Sequence, residues 1–185
     1  KGVMQKIFSQ ELRFKDANGK NYIDWGKKKL GKICNIRKGE QLNKSELTKN
    51  GLYPALNGGI NPSGYTDQWN TEKDVITISE GGNSAGYVSL SKNRFWCGGH
   101  CYALRNLEDN INFRYLFQIL KFSEPHIMRL KVGSGLPNIQ MKEINKFLVS
   151  FPEIEEQKKI ANFLSSLDSK IEIVNIQIEN TKSFK

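Results

Sequence analysis

The sequence predicts an α+β protein: a compact mixed body with a small β-sheet and short helices, followed by one long coiled-coil-forming α-helix. Three observations predict it. Short β-branched runs alternate with glycine-rich turns, short stretches of helical period lie among them, and no Gly or Pro follows Pro152.

Taken in order, residues 1–13 (KGVMQKIFSQELR) place Val3, Met4, Ile7, Phe8 and Leu12 on one helical face, the tail end of a helix. Residues 14–24 form a polar connector with a turn at Asn18-Gly19. The body is expected to span 25–151, opening with Trp25 and the Lys27–Lys29 run. Leu30–Ile36 reads as a first strand. Asn43-Lys-Ser-Glu46 is a capping-box pattern for a short helix that stops at Asn50-Gly51. Residues 53–70, dense in Gly, Pro and Asn, are expected to be an irregular exposed loop.

Val75–Ser79 and Tyr87–Ser91 read as strands of a hairpin around Gly81–Gly86. Phe95–Leu104 is a further strand, bulged at Gly98-Gly99. Helices are expected over Asn112–Leu120, Pro125–Lys131 and Gln140–Phe147, with a glycine loop at Val132–Ile139. A strand over Phe147–Pro152 then delivers the chain into the last segment.

That segment, residues 152–185, reads as one helix. Pro152 suits the first turn, where its missing N–H costs nothing, and Glu153, Glu155 and Glu156 complement the positive end of the helix dipole. Ile160, Leu164, Leu167, Ile171, Val174 and Ile178 alternate steps of four and three, the a/d seam of a coiled coil, until Thr181 interrupts it. Such a seam needs a partner helix, and the reading favoured is a rigid spacer. The alternative is an ordinary long helix docked on its own body. Phe163, Ile173 and Ile176 lie off the seam, which points to a second buried face or a broad contact near the body.

The formal net charge is +9. Residues 1–30 hold eight Lys/Arg against three Asp/Glu, residues 31–150 fifteen against ten, and residues 151–185 five against six. The excess belongs to the body and its lead-in, so an acidic partner such as nucleic acid would bind there. The chain has no apolar run of 18 residues and no secretory signal, and Cys34, Cys97 and Cys101 show no framework spacing. The expectation is a soluble, cytoplasmic protein with reduced thiols.

Enzyme signatures are missing. Gly81–Gly86 lacks the Gly-Lys-Ser/Thr of a P-loop, and no G-x-G-x-x-G opens a helix. Asn61-Pro-Ser-Gly-Tyr65 is only faintly similar to the Asn-Pro-Pro-aromatic motif of adenine methyltransferases and lacks its second proline. Cys97-Gly-Gly-His-Cys101 does not match zinc spacing, so core packing is favoured and no metal is expected.

The better candidates are polar loops. Arg37, Lys38, Lys44, Lys92, Arg94 and Lys131 lie at or beside predicted loops and can reach phosphates. Asn57, Asn61, Gln68, Asn83, Ser84, Ser134 and Asn138 sit in glycine-rich turns. Asn and Gln pair with adenine N6 and N7, and glycines let a backbone approach closely.

Phe151-Pro-Glu-Ile-Glu-Glu-Gln157, leading into Lys158-Lys-Ile-Ala161 and Leu164, follows the pattern Pro-x-x-x-Glu-Gln-x-x-Ile-Ala. On these residues the chain resembles the specificity subunit of type I restriction–modification systems. Trp25 with Lys29-Leu30-Gly31 is similar to the start of that family's target-recognition domain. Gly133-Ser-Gly135 with Pro137-Asn-Ile139 is similar to its end, and Lys1–Phe8 to the end of a conserved spacer helix. Writing the C-terminus before the N-terminus gives NTKSFK-KGVMQKIFSQELRF, one uninterrupted helical pattern.

The resemblance implies one repeat of a two-repeat subunit, either a natural half-subunit or a fragment, the start at Lys1 leaning towards the latter. It implies a non-enzymatic protein without cofactor that reads one half of a bipartite double-stranded DNA target. Expected partners are methyltransferase and restriction subunits. A second recognition domain, or a second copy of this chain, would pair through Ile160–Ile178. The rival reading is a protein-interaction adaptor that uses its helix without touching DNA.

Overall fold

The computed structural model describes residues 2–183; Lys1, and Phe184 and Lys185 at the end of the expected helix, lie outside the described residues. Along the chain come α1 (Gly2–Phe8), β1 (Gly26–Lys29), α2 (Leu30–Ile33), β2 (Asn35–Lys38), a 3-10 turn (Lys44–Glu46), β3 (Tyr53–Leu56) and β4 (Gly64–Thr66). Then follow β5 (Ile76–Ser79), β6 (Val88–Leu90), β7 (Trp96–Cys97), β8 (Cys101–Arg105), α3 (Phe113–Phe122), α4 (Glu124–Met128), α5 (Met141–Lys146), β9 (Leu148–Phe151) and α6 (Ile154–Ser183).

The centre is a four-stranded antiparallel sheet in the order β2-β8-β5-β6. Its alternation sorts the side chains to two faces. Ile36, Ile76, Ile78, Val88, Tyr102 and Leu104 join the main core, which α3 completes with Tyr115, Leu116, Ile119 and Leu120, and α6 with Ile160, Ala161 and Leu164. On the other face Cys101 and Ala103 pack with Phe95 and Cys97 in a smaller core, against which Leu56 is packed. There β3 lies between β4, antiparallel, and β7, parallel. A separate two-stranded ribbon pairs β1 with β9, Lys27 opposite Ser150 and Lys29 opposite Leu148.

Several expectations change. Leu30–Ile36 is not one strand: Leu30 and Ile33 are buried by a helical turn, and only Asn35–Lys38 extends. The capping box around Asn43 closes a single 3-10 turn, with the Asn43 N–H donating to Glu46. Residues 53–70 are not wholly irregular, because β3 and β4 pair there and bury Ala55 and Thr66. Phe95–Leu104 is two strands in two sheets, since the turn between them lets β7 join β3 and β8 join β5. The leading helix ends at Phe8, beyond which Gln10 takes a φ of 64° and turns the chain.

The long helix runs from Ile154 to Ser183, 30 residues, but its seam is shared. Ile160 and Leu164 are buried in the chain's own core and Leu167 packs against it, so the first half of the seam pairs with no separate helix. Gln118 Nε2 also ties the helix to α3, donating to Asp168 Oδ2 at 2.9 Å. Residues 168–182 are exposed throughout, and Ile171, Val174 and Ile178 stand in solvent. At 1.5 Å per residue this exposed stretch is about 20 Å long.

Candidate nucleic-acid interface

The family-like motif at the root of α6 fastens the helix to the body. Glu156 is fully buried, and Arg13 forks onto it through Nε at 2.8 Å and Nη2 at 2.9 Å. Trp25 Nε1 adds a donor at 3.2 Å. The Glu156 hydrogen bonds push the Arg13 guanidinium further above its ordinary value, so Arg13 stays charged. Gln157 is buried too: its Oε1 accepts from the Asn112 N–H at the start of α3, and its Nε2 donates to the Asn110 and Pro152 carbonyls. Lead-in, body and helix are thereby joined in one polar knot.

On the body, the glycine-rich turns converge on an open cleft of about 540 Å³. The β3–β4 tip contributes Asn57, Gly58 and Gly59, the β5–β6 turn contributes Glu80, Gly81, Gly82 and Ser84, and the loop before α5 contributes Leu136, Pro137 and Asn138. Gly58 needs its freedom: φ is +87°, and a Cβ there would lie 2.6 Å from the His100 carbonyl oxygen. Both Ser79 and Ser84 donate through Oγ to the Gly58 carbonyl, fixing this turn against the next. The last loop is pinned by Gly82 N–H donating to Pro137 O at 2.9 Å and Ile139 N–H to Glu80 O at 2.8 Å.

At the cleft wall Glu80 accepts from Lys38 Nζ at 2.7 Å and Tyr102 OH at 3.0 Å, with His100 Nδ1 at 3.5 Å. Burial pushes the Glu80 carboxyl up, but the bonds from Lys38 and Tyr102 and the charges of Lys38 and His100 outweigh it. Its pKa lies below the ordinary carboxylate value. Burial and Glu80 push the Tyr102 phenol up, keeping it a donor. The Asn57 side-chain oxygen accepts from the His100 N–H at 3.1 Å, which leaves its NH₂ group for a ligand. Asn138 is held by its backbone against Val132, with its side chain exposed.

Of the residues singled out from sequence, the cleft gathers Lys38, Asn57, Ser84 and Asn138. Asn61, Asn83 and Ser134 are exposed on the loops that form its rim, while Arg37, Lys44 and Gln68 are exposed elsewhere on the body. Lys131, half-buried, follows α4. Lys92 lines a different hollow, between α3 and α6. Arg94 is engaged within the protein, paired to Glu72 at 3.0 Å and stacked 4.3 Å over the Trp69 ring. Sequence reasoning missed Glu80, His100 and Tyr102; the signal for Glu80 was a carboxylate at the junction of a β-branched strand with a Gly-Gly turn. Cys97 and Cys101 are buried in the smaller core.

A mixed α/β body bearing a polar cleft, with a helix anchored in its core and running out past it, is the layout of a specificity module. The chain belongs to the family of type I restriction modification DNA specificity domains, whose model matches residues 22–181. A protein of Mycoplasma pneumoniae assigned to the type I specificity subunits is 35% identical over 164 residues, covering 88% of this chain and 44% of that protein. The specificity subunit of a type I restriction enzyme of Methanocaldococcus jannaschii is 28% identical, covering 96% of this chain and 43% of that protein. The crystal structure of a type I restriction–modification S subunit from M. genitalium superposes with a TM-score of 0.81 at 31% identity, over 91% of this chain and 44% of that one. An HsdS subunit from Thermoanaerobacter tengcongensis shares the fold, with a TM-score of 0.66 at 18% identity, over 92% of this chain and 44% of that one. The chain thus spans less than half the length of these relatives.

Proposed function

We propose that this chain is a DNA target-recognition module that reads one half of a bipartite site for a type I restriction–modification complex. The observation that carries the reading is the cleft, where Asn57, Ser84 and Asn138 converge on three loops tied to one another by hydrogen bonds. Amide side chains on a preorganised rim suit base-edge contacts, and glycines let the duplex come close. In this reading Asn57, Asn61, Gln68, Asn83, Ser84, Ser134 and Asn138 supply base contacts, and Arg37, Lys38, Lys44, Lys92, Arg94 and Lys131 supply phosphate contacts. In this reading residues 25–151 are the recognition body, the segments 1–13 and 152–185 carry the spacer helices α1 and α6, and the protein works in the cytoplasm.

The exposed half of α6 is where partners attach. Successive residues turn by 100°, so Ile171, Val174 and Ile178 form one stripe while Ile173 and Ile176 lie nearly opposite. A rod apolar on two sides is covered on both. One stripe takes a second spacer helix, from another recognition repeat or a second copy of this chain; the other takes a methyltransferase subunit, with restriction subunits joining the assembly. No observation favours the adaptor that ignores DNA.

Selection from a randomised duplex library by the full chain with its methyltransferase partner tests the reading. An enriched half-site motif is expected, and Asn138→Ala should blur at least one of its positions, at a cost of about 1–3 kcal/mol on the selected sequence. No enriched motif would sink it.

A further inference from the structure

We infer that the DNA backbone is gripped mainly outside the cleft, by a lysine platform made of the β1–β9 ribbon and the α2–α5 pair. The inference rests on the cleft being the base-reading site, and adds a phosphate-binding surface to it.

The cleft is poorly supplied with free positive charge. Lys38 is tied to Glu80, and Arg94, away from the cleft, is tied to Glu72. The platform differs. Residues 26–33 and 141–150 hold six lysines against one glutamate. Lys27, Lys29, Lys32, Lys142 and Lys146 are exposed, and among the described residues none of the first four has a carboxylate within 4.0 Å. Lys146 has only a loose contact with Glu143, at 3.9 Å.

The fold packs together the elements that carry these lysines. In β1, Lys27 and Lys29 share a face, while Lys28 points to the other and pairs with Glu108. The Leu30 N–H donates to the Phe147 carbonyl at 2.8 Å, and a Cβ on Gly31 would collide with the Asn145 side chain, so α2 lies directly on α5. That contact brings the helical turn that carries Lys32 against the helix that carries Lys142 and Lys146, which are one helical turn apart.

The platform also adjoins the cleft. Ile139, hydrogen-bonded to Glu80 through its N–H and to Tyr102 through its carbonyl, is two residues before α5 begins. A duplex whose bases face Asn57 and Asn138 would have its flanking phosphates over α5, α2 and β1.

The chemistry selects phosphate over a protein partner. Lysine is depleted at the centres of protein interfaces, whereas flexible ammonium groups free of carboxylates are the ordinary means of holding a polyanion.

The test is a salt titration of the full chain on a duplex of arbitrary sequence. For the double variants Lys27→Ala/Lys29→Ala and Lys32→Ala/Lys142→Ala, the slope of log K against log salt should fall by about 1.8 each, roughly 0.9 per lost phosphate contact. Lys170→Ala, on the free rod, should leave the slope unchanged. Thermal melts of all variants should match the parent, since every changed side chain is exposed. A slope unchanged in both double variants, while the parent binds and Asn138→Ala still alters sequence preference, overturns the platform and leaves the cleft reading standing. Equal loss in Lys170→Ala also overturns it, because net charge alone would then explain the effect. An unchanged slope with lost methyltransferase co-purification would reassign the surface to protein docking. A parent chain with no salt-dependent DNA binding removes the DNA reading itself.

Discussion

Arg13 and Glu156, 143 residues apart in sequence, form a two-pronged ion pair around which lead-in, body and long helix meet. Glu156 is fully buried and the Arg13 side chain is 18% exposed, so neither charge has much water to fall back on. This pair explains why the Glu-Gln of the family pattern is adjacent to Ile160 and Ala161: the polar residues lock the joint and the apolar ones fill it.

Breaking that pair is expected to be severe. Arg13→Ala strands a buried carboxylate and should cost about 3–5 kcal/mol, read as a lowered urea midpoint. Arg13→Lys keeps the charge but loses the fork, and should recover only part of the loss.

Glu80 makes a prediction in pH. Its native pKa lies below its unfolded value, so its stabilising contribution is full above the ordinary glutamate pKa of about 4.3. It disappears as pH falls through the native pKa. Urea midpoints of the parent should therefore drop across that acid window, and those of Glu80→Gln should drop less. At neutral pH the same variant releases Lys38 from its ion pair, so its phosphate contact no longer competes with Glu80 and non-specific DNA affinity should rise.

The divided seam predicts divided effects. Leu164→Ala removes a buried side chain and should cost about 2–5 kcal/mol of stability. Val174→Asp and Ile178→Asp, on exposed sites, should leave the unfolding midpoint within about 0.5 kcal/mol of the parent. Both should abolish helix pairing, measured by light scattering and by co-purification with partner subunits.

Thiol chemistry should be slow in the native protein. All three cysteines are buried, and burial pushes the Cys34 thiol up to about 12. Iodoacetamide at mildly alkaline pH should label the folded chain far more slowly than the urea-unfolded one. Rapid stoichiometric labelling of the folded chain would contradict the core described here.

How far the sequence could be read depended on whether local pattern or distant contact decided each element. The hairpin at Ile76–Leu90 was legible from β-branched runs around Gly81-Gly82, and α3 from its helical period. Residues 30–36 were not, because a short apolar run fits a helical turn and a strand equally well. β3 and β4 hid in a Gly- and Pro-rich stretch; their order comes from pairing with each other and with β7, some 40 residues on. The seam of α6 was visible, but periodicity does not say what covers it, and α3 covers its first half. In the site, amides in turns were readable. The partners of Lys38 and Arg94 were not, lying 42 and 22 residues away.

Because Ile160 and Leu164 are embedded in the body, the emerging end of α6 has a fixed compass bearing as well as a fixed origin. Every residue inserted beyond Asp168 would swing whatever docks at Ile178 by about 100° while moving it only about 1.5 Å. Length and direction are geared together. Any lengthening of the arm that keeps Ile171, Val174 and Ile178 in line must therefore come close to a whole number of turns, as about seven residues do for two turns and about eleven for three.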